Sequence, residues 1–167
     1  MVKTILVLLF ILLLSILIAL IWQAQKSQTL IQRYQDIDPG GSGPLPDCTD
    51  RPNCVCSETA TPASHAIEPV VIEHGPTDEA WLKFQQAVRA LGGNVRFVSD
   101  HRMWATFRTP LLGFTDDLLA RLDSASGMIH VRSSSRVGHS DLGQNRKRIE
   151  ALRNQFQNTL RTSDPSQ

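Results

Sequence analysis

TDDLLARLDSASGMIHVRSSSR, Thr115 to Arg136, is the stretch on which the fold turns. Its first part alternates, with Leu118, Ala120 and Leu122 on one side and Asp117, Leu119 and Arg121 on the other. A period of two is the signature of a strand with one buried face. Ser124-Ala125-Ser126-Gly127 supplies a turn. Met128 to Arg136 then resumes as a strand, with Ile129 and Val131 pointing inward. Upstream, Asn94–Ser99 and Arg102–Thr109 form a second hairpin that turns at Asp100-His101, with Met103, Ala105 and Phe107 opposing Trp104, Thr106 and Arg108. Four consecutive strands joined by short turns predict an antiparallel meander.

Outward from this sheet, the period changes. Thr77-Asp78-Glu79 after Pro76 reads as a helix start, with Thr77 as N-cap and acids in the first turn. Trp81, Phe84, Val88 and Leu91 follow at helical spacing, and Gly92-Gly93 ends the helix. A last helix is expected from Leu142 to Leu160, with Ile149, Leu152, Phe156 and Leu160 as its apolar stripe. His65 to Glu73 reads as a first strand, placed at an edge or a bulge by Pro69. The expected fold is α+β: a five-stranded antiparallel sheet in the order β-α-β-β-β-β-α, with the helices on one face.

The N-terminus is of a different kind. Thr4 to Trp22 runs 19 residues without a charge. As a helix it spans about 28 Å, close to the hydrocarbon thickness of a bilayer. Lys3 and Lys26 flank it, and Trp22 sits where an interfacial aromatic belongs. A cleaved secretory signal is the competing reading, but the apolar block is long and no good small-residue cleavage site follows. The expected organisation is a transmembrane anchor at 1–25, a stalk and Pro/Gly linker at 26–46, a soluble domain at 47–162 and a disordered tail at 163–167. Lys+Arg 17 against Asp+Glu 16 gives a formal charge of +1. That is no electrostatic footprint for nucleic acid.

Cys48, Cys54 and Cys56 lie together in PDCTDRPNCVCS. By spacing, Cys48 reaches either of the other two, leaving one thiol over. A disulfide here favours a location outside the cytoplasm. C-x5-C-x-C is not a recurrent zinc spacing, so no metal site is expected, and no cofactor motif is present.

The polar run RSSSRVGHSDLGQNRKR, Arg132 to Arg148, is the candidate functional surface. His139-Ser140-Asp141 has the residue types of a hydrolase triad. Adjacent residues rarely aim at one reacting atom, and no nucleophile elbow is present, so no catalytic residue is assigned. Asp141 and Gln144 fit a capping box, Gly138 and Gly143 relax the backbone, and Arg146 and Arg153 are placed to pair with Glu150. Arg132, Ser134 and Arg136 share one side of the last strand, and Ser140, Asn145, Arg146 and Arg148 lie near the helix start. Guanidinium and hydroxyl groups beside a helix N-terminus suit an anion. The competing reading pairs Arg132 or Arg136 with Asp116-Asp117 in a buried ion network.

Several of these segments together resemble the domain-of-unknown-function 1499 family. They are DRPNCV with Cys48 and Cys54, the strand around His65-Ala66-Ile67-Glu68-Pro69, FRTPLLGFTDD (Phe107 to Asp117), and HVRSSSRVGHSDLGQNRKRIEALR (His130 to Arg153). The resemblance covers about Pro46 to Leu160 and implies fold and extent, not a reaction. Cys56 stands where a Ser is more usual in that family, which implies Cys48–Cys54 as the disulfide and Cys56 as the odd thiol.

The functional expectation is a membrane-anchored, non-enzymatic domain on the far side of the membrane from the cytoplasm. It would bind a lipid or other acidic ligand through Arg132, Ser134, Arg136, Ser140, Asn145 and Arg146. The alternatives are a protein-interaction module of a cell-envelope complex, and an enzyme acting on an acidic or phosphorylated substrate.

Overall fold

The computed structural model describes residues 2–29, 43–58, 61–109 and 112–161. The linker from Asp38 to Ser42 and the tail from Thr162 lie outside the described residues. Helix α1 spans Val2–Thr29, running past Trp22 into the polar segment. Strands β1 (Cys54–Cys56) and β2 (Val70–Val71) are short, and α2 (Thr77–Ala90) follows. The meander β3 (Asn94–Val98), β4 (Arg102–Arg108), β5 (Thr115–Asp123) and β6 (Met128–Ser135) leads into α3 (Gln144–Arg161).

The sheet has six strands in the spatial order β1-β6-β5-β4-β3, with β2 also pairing β6. All these pairings are antiparallel. The alternation of Thr115–Arg136 sets the register: Leu118 opposes Ser133, Ala120 opposes Val131 and Leu122 opposes Ile129. A slip of one residue would turn the whole apolar set to the wrong face.

That inner face meets both α2 and α3. Trp81, Phe84 and Val88 of α2 and Ile149, Leu152, Phe156 and Leu160 of α3 join the sheet's Met103, Ala105, Leu118, Ile129 and Val131 in one core. Phe84 and Phe156 meet edge to face at 5.8 Å. Truncating Phe156 to Ala would cost about 3–5 kcal/mol, the range for a fully buried Phe. Helix α2 ends at Leu91, after which Gly92 turns left-handed at φ 84. Gly93 N–H then donates to Val88 O and Gly92 N–H to Arg89 O, a Schellman closure.

The sheet's opposite face is covered by the lead-in segment Gly43–Glu58. Leu45, Cys56 and Leu119 form a small second cluster there, with Cys48 and Trp104 against it. Glu58 fastens this segment, accepting from Leu45 N–H at 2.9 Å and from Arg121 Nε and a terminal guanidinium nitrogen at 3.0 Å each. Arg102 reaches the Gly43 carbonyl. Cys48 and Cys54 form the disulfide, with Cα atoms 5.7 Å apart, and Cys56 is a buried free thiol.

Three local expectations change. Strand β1 joins the sheet beside β6, because Cys54, Val55 and Cys56 are all buried and pair with Arg132–Ser134. The strand expected over His65–Glu73 shortens to Val70–Val71, with Ala66 bridging Cys56 in isolation. At α2, Pro76 rather than Thr77 holds the N-cap position, in extended backbone at ψ 141 and with no side-chain cap.

Candidate functional site

The polar run occupies the junction of β6 and α3, and its residues part company across the sheet. Arg136 turns to the face opposite the helices. Its Nε donates to Asp117 Oδ2 at 2.7 Å and a terminal nitrogen donates to Asp117 Oδ1 at 2.8 Å. Trp104 Nε1 also donates to Asp117 Oδ1, at 2.8 Å. The two charged side chains are 2% and 0% exposed, so this is a buried, bidentate pair with its acceptors filled. The remaining terminal nitrogen of Arg136 donates to the Ser27 carbonyl in the last turns of α1 at 3.1 Å. A cation at a helix C-terminus satisfies one of its orphan carbonyls.

Arg132 lies on the same face but apart from Arg136. Its guanidinium donates to Ser134 Oγ at 2.8 Å and to the Asp47 carbonyl at 3.5 Å, under the lead-in segment. Among the described residues its buried Nε has no hydrogen-bond partner. Asn145 lies on the other side, toward α3. It accepts from Ser133 Oγ and Arg148, and its amide nitrogen donates to Asn53 O and Ser135 Oγ. Ser140 Oγ accepts the Leu142 N–H. Arg146 is on the exposed side of α3 and donates to the Ala66 carbonyl at 2.8 Å, not to Glu150, which pairs with Arg153. The six candidate residues thus do not converge on one space. Arg132 and Ser134 are covered, Asn145 is packed inside, Arg146 is elsewhere, and Arg136 and Ser140 flank the end of α1.

Asp141 accepts from Asn145 N–H in the first turn of the last helix at 2.7 Å and from Gly143 N–H at 3.1 Å, but it stands two residues ahead of the N-cap position expected for it. Helix α3 itself begins at Gln144, because Leu142 at φ 54 and Gly143 at φ 77 are left-handed. Two further side chains carry the junction: Arg148, read from the sequence only as one of the cations near the helix start, and Asn53, which the sequence reading does not single out. Arg148 pairs with Asp116 at 2.5 Å and lies over the Phe107 ring, and Asn53 Nδ2 donates to the Gly138 carbonyl at 2.9 Å. Both contacts join segments remote in sequence, so no local pattern marks them.

Helix α1 meets the domain at this junction. Ser27 Oγ accepts the Thr115 N–H at 3.1 Å, and Ala24 and Ser27 are buried. Beside that contact a cavity of about 350 Å³ opens between Leu20 and Gln23 of α1 and the domain's Phe114, Val137, Ser140 and Leu142. The volume is at the lower end of the ~300–1,000 Å³ typical of small-molecule sites. Leu142 is 85% exposed and in a conformation that disfavours side chains with a Cβ. A second cavity of about 270 Å³ lies on the sheet's other face, lined by Asn94, Arg96, Thr106, Arg108, Thr115 and Arg136.

Among the ionisable groups outside α1, Glu58 is displaced. Burial pushes its pKa up, but hydrogen bonds from Arg121 and the Leu45 amide, with the charges of His130 and Arg121, outweigh that and hold it below the ordinary glutamate value. His65 Nδ1 lies 3.0 Å from the Cys54 carbonyl and His130 Nδ1 lies 3.2 Å from the Ser57 carbonyl, so each ring is tied to backbone. Among the described residues no group of His, Cys, Asp and Glu has the arrangement of a metal site.

Helix α1 is long and apolar enough to cross a membrane, as an anchor or a signal sequence would be. No curated protein matches the chain. A family model described as "Protein of unknown function (DUF1499)" matches residues 44–156, from the lead-in segment through most of α3. The chain belongs to the DUF1499 family.

Proposed function

We propose that the protein is a membrane-anchored, non-enzymatic domain that holds a lipid at the end of its sheet nearest the bilayer. The observation that carries this reading is the cavity shared by Leu20 and Gln23 of α1 with Phe114, Val137 and Leu142 of the domain. A helix that leaves the hydrocarbon near Trp22 brings that cavity to the membrane surface. There Leu142 is no longer a large apolar side chain held out in water against its backbone preference. The polar lining of the same cavity includes Gln23, Ser140 and Gln144, which offer hydrogen bonds to a headgroup, together with Asp116, paired with Arg148, and Asp141, which accepts the Asn145 and Gly143 amides.

Retention of the helix as an anchor is supported by its contacts. Ser27 holds both the Thr115 amide and the Arg136 guanidinium, bonds that cleavage after Trp22 would weaken. The Cys48–Cys54 disulfide supports a domain outside the cytoplasm, in the cell envelope, where such bonds persist.

The test is to purify the full chain from membranes in mild detergent and quantify bound lipid by mass spectrometry. Wild type is expected to retain lipid stoichiometrically, and Phe114→Asp, which places a charge in the apolar wall, to lose it. Wild type free of lipid, or a variant that retains as much, would remove the proposal.

A further inference from the structure

Arg96, Arg108 and Arg136 come from three different parts of the sheet and line one cavity. Arg136 follows β6, Arg108 ends β4, and Arg96 sits in β3 at the point where its register against β4 shifts, between Val95 and Phe97. A β-bulge of this kind re-aims a side chain, and bulges are enriched beside binding sites. Arg136 already has Asp117 as a partner. Arg96 and Arg108 are exposed, and among the described residues neither side chain has an ion pair or hydrogen bond. No carboxylate lines the cavity; its other walls are Gly92, Asn94, Thr106 and Thr115. Gathering guanidinium groups without an acid is unfavourable until an anion joins them, and planar, multiply donating guanidinium groups match phosphate oxygens.

We propose that this cavity is a phosphate site, with Arg96 and Arg108 as its principal cations and Arg136 as the fixed edge that aligns them. Thr115 and Arg136 are also the two residues that bind Ser27 of α1, so the site opens beside the point where the chain leaves the membrane. The phosphate of an anionic headgroup is therefore within reach, and free phosphate is the other source of the same chemistry. Only the lipid source rests on the membrane-end reading above; the anion site stands on its own geometry.

The test uses the full chain as wild type and as the Arg96→Gln/Arg108→Gln double variant, both exposed positions whose change leaves the core intact. In maltoside micelles, inorganic phosphate is titrated by calorimetry against a chloride control. In nanodiscs of mixed phosphatidylcholine and phosphatidylglycerol, retained lipid is counted by native mass spectrometry. The site predicts binding of phosphate, selective retention of phosphatidylglycerol, or both, weakened about tenfold or more in the double variant. Phosphate binding without lipid retention supports the site, names free phosphate as its source, and counts against the membrane-end reading. Lipid retained without headgroup preference, with phosphate ignored, overturns the site while the membrane-end reading stands. If wild type and variant behave alike in both arms, the site is refuted.

Discussion

Replacing Asp117 by Asn tests the junction at its most buried point. Asp117 is fully buried and accepts from Trp104 Nε1, Arg136 Nε and an Arg136 terminal nitrogen, at 2.7–2.8 Å. Asn keeps the volume but removes the charge, and turns one acceptor into a donor facing a guanidinium. Arg136, 2% exposed, keeps the Ser27 carbonyl but loses the carboxylate. Breaking one side of a buried pair costs about 3–5 kcal/mol, much of it the penalty on the charge left behind. Against a typical stability of about 5–15 kcal/mol, that is a large fraction. The assay is urea unfolding of the full chain in micelles, followed by far-ultraviolet circular dichroism. The Asp117→Leu/Arg136→Met double variant, which removes both charges, is expected to recover most of the loss. A loss below about 1 kcal/mol for Asp117→Asn would refute the reasoning.

Two further outcomes follow from the same geometry. Glu58 has a folded pKa below its unfolded value, so its contribution is full above about pH 4.5 and is lost as pH falls through the folded pKa. Melting temperature measured from pH 7 to pH 3 should therefore fall less steeply on the acid side in Glu58→Gln than in wild type, and equal slopes would contradict the assignment. At Gly93, an added Cβ would meet Val88 Cγ1 at 2.6 Å, Val88 O at 2.7 Å and Phe107 Cζ at 2.8 Å. Gly93→Ala should cost about 1–3 kcal/mol by denaturant unfolding, and an unchanged midpoint would show that the α2 terminus can shift.

The inner architecture was legible because it is periodic. Leu118, Ala120 and Leu122 announce a strand, and Ile149, Leu152 and Phe156 a helix stripe, and both lie in the core. Strand β1 was not, because three residues around a disulfide are too short to show a period. The start of α2 was legible, since the helix begins at Thr77, but its cap was not: Pro76 takes the cap position from a residue chemically suited to it. The polar run was legible in part. Asp141 shows itself as an acceptor for the first turn of α3, and the pairing of an arginine of this run with Asp117 was one of two open readings, now seen as Arg136. The shared face of Arg132 and Arg136 was legible from the alternation; what the run could not reveal is where residues beyond the strand lie, with Asn145 entering the packing under α3 and Arg146 on its exposed side. Arg96 and Arg108 carried no local signal, since their proximity is made by a bulge and by strand pairing.

In the proposed function, the end of the sheet bearing Phe114, Val137 and Leu142 faces lipid. The direct measurement is photo-crosslinking of the reconstituted full chain with a phospholipid carrying a diazirine in its acyl chain, with crosslinked peptides mapped by mass spectrometry. The account predicts adducts on the peptides that contain Phe114 and Val137–Leu142, in addition to those on α1. Adducts confined to α1, with none on that end of the domain, would contradict it.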